Sequence, residues 1–252
     1  MNNKMRCAEK MQQELQLFHC PLCGEAFTLV NEQRSLRCPH AHTFDIAKQG
    51  YVNLLTKAVH THYDKQLFEA RRRIIVGHQF FNPLMERIVN DIDKQMSSNM
   101  AQQSTILDLG CGEGSHLAAI CDALSQQTSK QITGCGIDLA KPGIQLSAKH
   151  YPNQIWFVGD LAQPPYQNTA FNFCLIFCRH QTMMHLIRYL NPVVLSLKSY
   201  QENTIFKSCA VHFTALLEPT TRMLKHFVCL KSIILNLKCI IFTIQYSSIK
   251  QD

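Results

Sequence analysis

The sequence predicts an α/β protein in two parts: a small ribbon near the N-terminus, then a larger doubly wound domain built on a parallel sheet. Three observations carry that expectation. "CPLCGEAFTLVNEQRSLRCPHAH", starting at Cys20, sets cysteines and histidines at close, ordered spacings. "ILDLGCGEGSHLAAI" joins an apolar strand to a helix through closely spaced glycines. Acids then close the next two apolar segments, at Asp138 and Asp160.

With 252 residues the chain can bury a substantial core. Twelve cysteines would suit a disulfide scaffold, but "MNNKMRCAEKMQQELQLF" has charges and amides where a signal peptide needs an apolar run. Reduced thiols in a cytoplasmic protein are expected instead. The longest apolar stretch, "HFVCLKSIILNLKCIIFTIQY" from His226, is broken by Lys231 and Lys238, so no membrane span is expected. The net charge of +7 is uneven. Residues 1–176 hold 16 Lys and Arg against 15 Asp and Glu, whereas residues 177–252 hold 9 against 3. The basic excess therefore belongs to the last third and is weak evidence for a nucleic-acid surface.

Within the ribbon, Cys20, Cys23, Cys38 and His42 form C-x2-C and C-x3-H pairs. Zinc takes four such ligands in a tetrahedron, and a C-x2-C knuckle supplies two thiolates from one turn. Pro21 fixes φ in that turn and Gly24 tolerates a positive one. Between the pairs, "EAFTLVNEQRSLRC" predicts two short strands about a turn at Asn31–Gln33, a hairpin too small to hold itself without the metal. His40 has an awkward spacing and is expected at the surface.

A helical stretch follows. Phe68 and Ile75, then Met85, Ile88, Val89 and Ile92, recur at helical spacing on either side of a break near Gly77 and Pro83. The run Arg71–Arg73 could contact phosphates, but three arginines in a row on a helix more often form a solvated face.

The glycine turn contains Gly110, Gly112 and Gly114, preceded by Asp108 at the strand's end and followed by a helix from Ser115. Glycines allow close backbone approach to a ligand, and the helix start offers unpaired N–H groups. Asp138 is placed to accept from ribose hydroxyls. Asp160 is placed to meet an adenine amino group, with Leu161 against the base. Two adenosine ligands compete, a nicotinamide dinucleotide and S-adenosylmethionine. An acid ahead of G-x-G-x-G would repel a pyrophosphate but suits a sulfonium and an ammonium group, which favours S-adenosylmethionine.

Taken together, "CPLC…CPHAHTFDIAKQGYVNLL", "EARR", "LDLGCGEG", "GIDLAK" and "VGDLAQPPYQNTAFN" resemble the bacterial 23S rRNA guanine-N1 methyltransferases over about residues 18–175. The resemblance implies zinc at Cys20, Cys23, Cys38 and His42. It implies S-adenosylmethionine at Asp108, Gly110, Gly112, Glu113, Gly114, Asp138, Asp160 and Leu161, with Phe81 as an aromatic near the cofactor. It further implies a 23S rRNA hairpin as partner, allows a homodimer, and identifies no catalytic base. His78, His116 and His150 are expected as surface or partly buried histidines. The organisation expected is a zinc-binding ribbon module over 16–60, a helical linker over 61–100, and a Rossmann-like methyltransferase domain over 101–252.

After about Leu175 the match ends. The family would continue with an Asn/Asp–Ile–aromatic–Ala/Ser–Pro stretch and later a Lys-Pro-Gly-Gly turn. Instead the 93 residues after Gly159 contain no glycine. Read from the third base of each codon, "YLNPVVLSLKSYQENTIFK" allows "FKPGGVVIKVVPRKHYLQ", which restores that turn. The expectation is that residues from about 176 onward are out of frame and the second half of the sheet is degenerate. Two rivals stay open: a catalytically inactive zinc- and RNA-binding remnant, and a small-molecule methyltransferase carrying a structural zinc knuckle.

Overall fold

The computed structural model describes residues 2–59, 61, 63–97, 101–167, 170–176, 195–199 and 240–244. Helix α1 (Asn3–Gln13) opens the chain, with the Asn2 side chain accepting from the Met5 N–H at 2.9 Å as an N-cap. A 3₁₀ turn at Leu15–Leu17 leads into the ribbon. The ribbon holds β1 (Thr28–Val30), β2 (Ser35–Arg37) and β3 (Thr43–Asp45), all antiparallel in the order β1-β2-β3. The expected hairpin is present, with Asn31, Glu32 and Gln33 all at positive φ in its turn, and a third strand extends it. Ser35 fixes that third strand by donating to Asp45 Oδ1 at 2.7 Å.

The larger sheet includes β4 (Val52–Asn53), β5 (Gln103–Leu109), β6 (Gln131–Asp138), β7 (Ile155–Val158), β8 (Phe173–Leu175), β9 (Leu195–Ser199) and β10 (Ile240–Ile244). Its order is β4-β7-β6-β5-β8-β10-β9. The pairs from β4 to β8 are parallel, while β10 runs antiparallel to both β8 and β9. The chain lays β5, β6 and β7 outward in one direction, then returns to place β8 on the other flank of β5. That reversal sits between β5 and β8, and doubly wound sheets bind ligands at the carboxyl ends of the strands at such a point. The expectation of out-of-frame sequence falls outside the described residues except for β9 and β10, which add to the sheet as an antiparallel pair.

Alternation along the strands sorts the core into two layers. Leu107, Leu109, Cys135, Ile137, Ile155 and Phe157 face α1 and the ribbon, packing with Cys7, Met11, Phe18, Leu36 and Phe44. Ile106, Trp156, Val158, Phe173 and Leu175 face the opposite layer of helices. That layer contains α3 (Asn82–Ser97), α4 (Ser115–Gln127) and α5 (Lys141–His150), amphipathic through Leu84, Ile88, Leu117, Ile120 and Ile144. Helix α2 (Lys65–Arg72), capped by Asp64, lies against α5 and runs through a π-helical turn (Arg73–Gly77) before α3. The break expected near Gly77 and Pro83 is therefore real.

The ribbon is thus built onto the sheet. Phe18 packs edge-on to Phe157 at 5.1 Å, and β4 continues the large sheet beside β7. Glu14 is a second tie: buried at 2% exposure, it accepts from Thr133 Oγ1 at 2.7 Å and from Gln103 Nε2 at 2.5 Å. Both partners stand on strands of the large sheet, so α1 is held by polar contacts as well as by apolar burial.

Candidate functional site

Two clusters of chemistry-bearing residues lie on this frame. In the ribbon, the knuckle after Cys20 closes with the Gly24 N–H donating to the Cys20 carbonyl at 2.8 Å. Ala41 takes a φ of 65°, uncommon for a residue with a Cβ, and its N–H donates to the Cys38 carbonyl at 2.9 Å. That bend returns His42 toward the cysteines. The ligand atoms of Cys20, Cys23, Cys38 and His42 all lie within 4.8 Å of one another. Cys23 Sγ is 3.6 Å from Cys38 Sγ, and His42 Nδ1 is 3.5 Å from Cys20 Sγ and 3.4 Å from Cys38 Sγ. A tetrahedron with zinc–sulfur bonds of about 2.3 Å puts sulfurs about 3.8 Å apart and sulfur and nitrogen about 3.5 Å apart. The donor set and its spacing therefore fit zinc. The three cysteines and one histidine singled out by spacing are the ones brought together, and His40 stays exposed.

The second cluster surrounds the glycine turn. Gly110, Gly112 and Gly114 adopt φ of 78°, 60° and 80°. At Gly114 a side chain is excluded twice over, because a Cβ there would sit 2.5 Å from the Trp156 ring in addition to the positive φ. The turn is drawn onto β6 by Asp138, whose Oδ2 accepts the Gly112 N–H at 2.8 Å and whose Oδ1 accepts the Ala140 N–H at 2.7 Å. Asp138 thus spends one lone pair of each oxygen on the backbone, and a ligand hydroxyl would have to share it.

Asp108 ends β5 at 1% exposure, and neither carboxylate oxygen has a hydrogen-bond partner among the described residues. Burial pushes its pKa up to about 8; Arg71 partly offsets this, and Asp138 and Glu113 add to it. Glu113 is equally buried. Its Oε2 accepts from the Ser115 N–H at 3.2 Å and from the Ser115 hydroxyl, while Oε1 faces Arg71 Nε at 3.6 Å. Burial also raises the Glu113 and Asp138 carboxyls, opposed at Glu113 by Arg71 and at Asp138 by the backbone donors. A buried carboxylate with unfilled acceptors calls for a cationic or N–H-bearing ligand.

Phe81, expected as an aromatic near the cofactor, stands edge-on to His116 at 5.1 Å. His116 is buried rather than at the surface, because α4 turns its first-turn side chains into the core; burial lowers its pKa to about 3 and keeps it neutral. Asp160 is exposed, with Oδ1 accepting from the Ala162 N–H at 2.9 Å, and Leu161 is half-buried beside it.

Arg71 was expected on a solvated face, and the structure corrects this. The three arginines diverge: Arg73 is exposed, Arg72 donates to Tyr151 Oη at 3.1 Å, and Arg71 turns onto the glycine turn. Tyr151 Oη also lies 3.0 Å from Ser115 Oγ, which links α2, α4 and α5. A single run of arginines carries no sign of which one turns inward. The signal available was Phe68, three residues before Arg71 and so on the same face.

Residues 18–58 match the family model described as RlmA, N-terminal. The chain is 40% identical over 162 residues to a Bacillus subtilis (strain 168) protein with the provisional name 23S rRNA (guanine-N(1)-)-methyltransferase YxjB, covering 64% of this chain and 56% of the relative. It is 30% identical over 142 residues to the 23S rRNA (guanine(748)-N(1))-methyltransferase of Streptomyces fradiae, covering 56% and 48%. Among solved structures, one described as a provisional S-adenosyl-L-methionine-dependent methyltransferase of Methanococcus maripaludis aligns at 14% identity, with a TM-score of 0.48 over 79% of this chain and 100% of that one. The chain spans about half the length of the curated relatives it matches, and its ribbon is the segment that carries the RlmA N-terminal match.

Proposed function

We propose that the chain is an S-adenosylmethionine-dependent methyltransferase acting on a guanine N1 of 23S rRNA, with zinc in its ribbon. The observation that carries this reading is the joining of an RlmA-type ribbon to the same sheet whose glycine turn gathers Asp108, Glu113 and Asp138. Cys20, Cys23, Cys38 and His42 would hold the zinc. Gly110, Gly112 and Gly114 would let the cofactor approach the backbone. Asp108 and Glu113 would face its cationic end, Asp138 the ribose, and Asp160, Leu161 and Phe81 the remaining contacts. When bound, S-adenosylmethionine supplies an electrophilic methyl group. The protein then has to orient guanine N1 in line and help it lose its proton.

The partner proposed is a 23S rRNA hairpin, from which the guanine leaves its stack to reach the cofactor. The compartment is then the cytoplasm, and a homodimer is compatible with this reading. None of the described helices is long and apolar enough to cross a membrane. The units proposed remain a ribbon over 16–60, a helical segment over 61–100 and a catalytic domain from 101.

A second reading is favoured by the glycine-free stretch after Gly159: a remnant that retains RNA and zinc but transfers no methyl group. Incubating the purified chain with 23S rRNA and methyl-labelled S-adenosylmethionine separates the two. Label recovered at guanine N1 supports the enzyme. RNA retention with no label supports the remnant, and label on small molecules without RNA would overturn both. Sequencing the DNA across codons 174–178 tests the frame change directly.

A further inference from the structure

We propose that Arg71 is the counter-ion for a carboxylate on the ligand held at the glycine turn, so that α2 recognises the amino-acid end of the cofactor. This rests on reading the turn as an S-adenosylmethionine site. That end of the cofactor is a zwitterion beside a sulfonium: two positive groups and one negative. Asp108, Glu113 and Asp138 supply acidic oxygens that a neighbouring cation would draw into their ionised form, and Asp108 is unpartnered among the described residues. These acids match the positive groups and would repel the carboxylate, which needs a donor of opposite charge.

Arg71 is in position to be that donor. Its Nη1 would lie 3.0 Å from a Cβ placed on Gly112, so the guanidinium rests against the turn itself. Its pairing with Glu113 is loose, at 3.6 Å and beyond hydrogen-bond length, and Glu113 Oε1 has no hydrogen bond among the described residues. About a third of the Arg71 side chain remains exposed, and a guanidinium is a planar fork that takes a carboxylate bidentately. Helix α2 is pinned there by Phe68, buried at 5%, whose ring would be 3.3 Å from a Cβ at Gly112 and 2.9 Å from one at Gly143. Arg72 is committed to Tyr151 and Arg73 faces solvent, so the neighbouring arginines do not substitute.

The test is calorimetric and uses the full chain with two ligands. S-adenosylhomocysteine has the amino-acid end; 5′-methylthioadenosine lacks it. Arg71→Ala is expected to weaken S-adenosylhomocysteine about 10- to 100-fold while changing methylthioadenosine less than twofold. Arg71→Lys, which keeps the charge without the fork, should fall between. Arg71→Met keeps an apolar stem against the turn and should show the same selective loss, and a thermal melt of each variant establishes that it is folded at the titration temperature, so a folding defect does not obscure the result. Unchanged S-adenosylhomocysteine binding, or equal loss for both ligands in a folded Arg71 variant, overturns the role of Arg71 while leaving the site reading intact. Failure of the unmodified chain to bind either ligand overturns the site reading and this inference with it.

Discussion

The ribbon and the glycine turn both crowd electron-rich groups together, yet they answer the resulting repulsion differently. In the ribbon, three thiols and an imidazole converge within 4.8 Å, at a distance suited to a common ion. At the turn, two of three carboxyl groups, Asp138 and Glu113, are spread over backbone N–H groups, a serine and one arginine. The first is a closed site, suited to a metal that stays. The second keeps Asp108 with vacant acceptors and Arg71 partly exposed, as an exchangeable ligand requires. A permanent occupant is met by ligands on one short stretch of chain; a transient one is met by groups drawn from several elements.

The largest effect that would sharpen this contrast is metal removal. Chelation, or Cys38→Ser, should cost on the order of 5 kcal/mol or more, since structural zinc binding is coupled to folding. The loss should reach the large sheet, because ribbon residues Leu36 and Phe44 share a core with Phe157. Zinc stoichiometry followed against thermal unfolding reads it out, and an unchanged melting temperature after chelation would break the comparison.

Next comes Asp108→Asn. A carboxyl raised to about 8 when folded, against about 3.9 unfolded, stabilises the fold fully only below pH 4, and that stability is lost as pH rises to 8. The variant should match the unmodified protein near pH 4 and exceed it by several kcal/mol above pH 8. Denaturant melts across that range check this. A gap that widens toward acid would instead mean Asp108 is ionised and paired.

Gly114→Ala is expected to cost about 3 kcal/mol, from the left-handed backbone and the clash with Trp156 together. It should also abolish S-adenosylhomocysteine binding at temperatures where the chain is still folded. Retained binding would show that the turn tolerates a different path.

The ribbon was more legible in the sequence than the turn, for a physical reason. Its ligands lie within 23 residues, from Cys20 to His42, and each pair is fixed by a local turn, so spacing alone identifies them. The glycines and Asp108 were legible because a strand–turn–helix imposes local backbone demands. Asp138 was expected at the site, but its use as the acceptor for the Gly112 and Ala140 N–H groups was not. That role depends on how close β6 brings its end to the turn.

By itself, the sequence determined the parts that depend on near neighbours: the C-x2-C and C-x3-H spacings, the β5–turn–α4 unit, the apolar core strands and the break before α3. The tertiary structure alone decided that the ribbon forms one covering layer of the sheet, that His116 is buried, and that Arg71 rather than Arg72 or Arg73 reaches Glu113. Those outcomes depend on which helix face meets another element. That is set by burial summed over distant residues such as Phe68, Gly112 and Gly143, and no short window of the chain contains it.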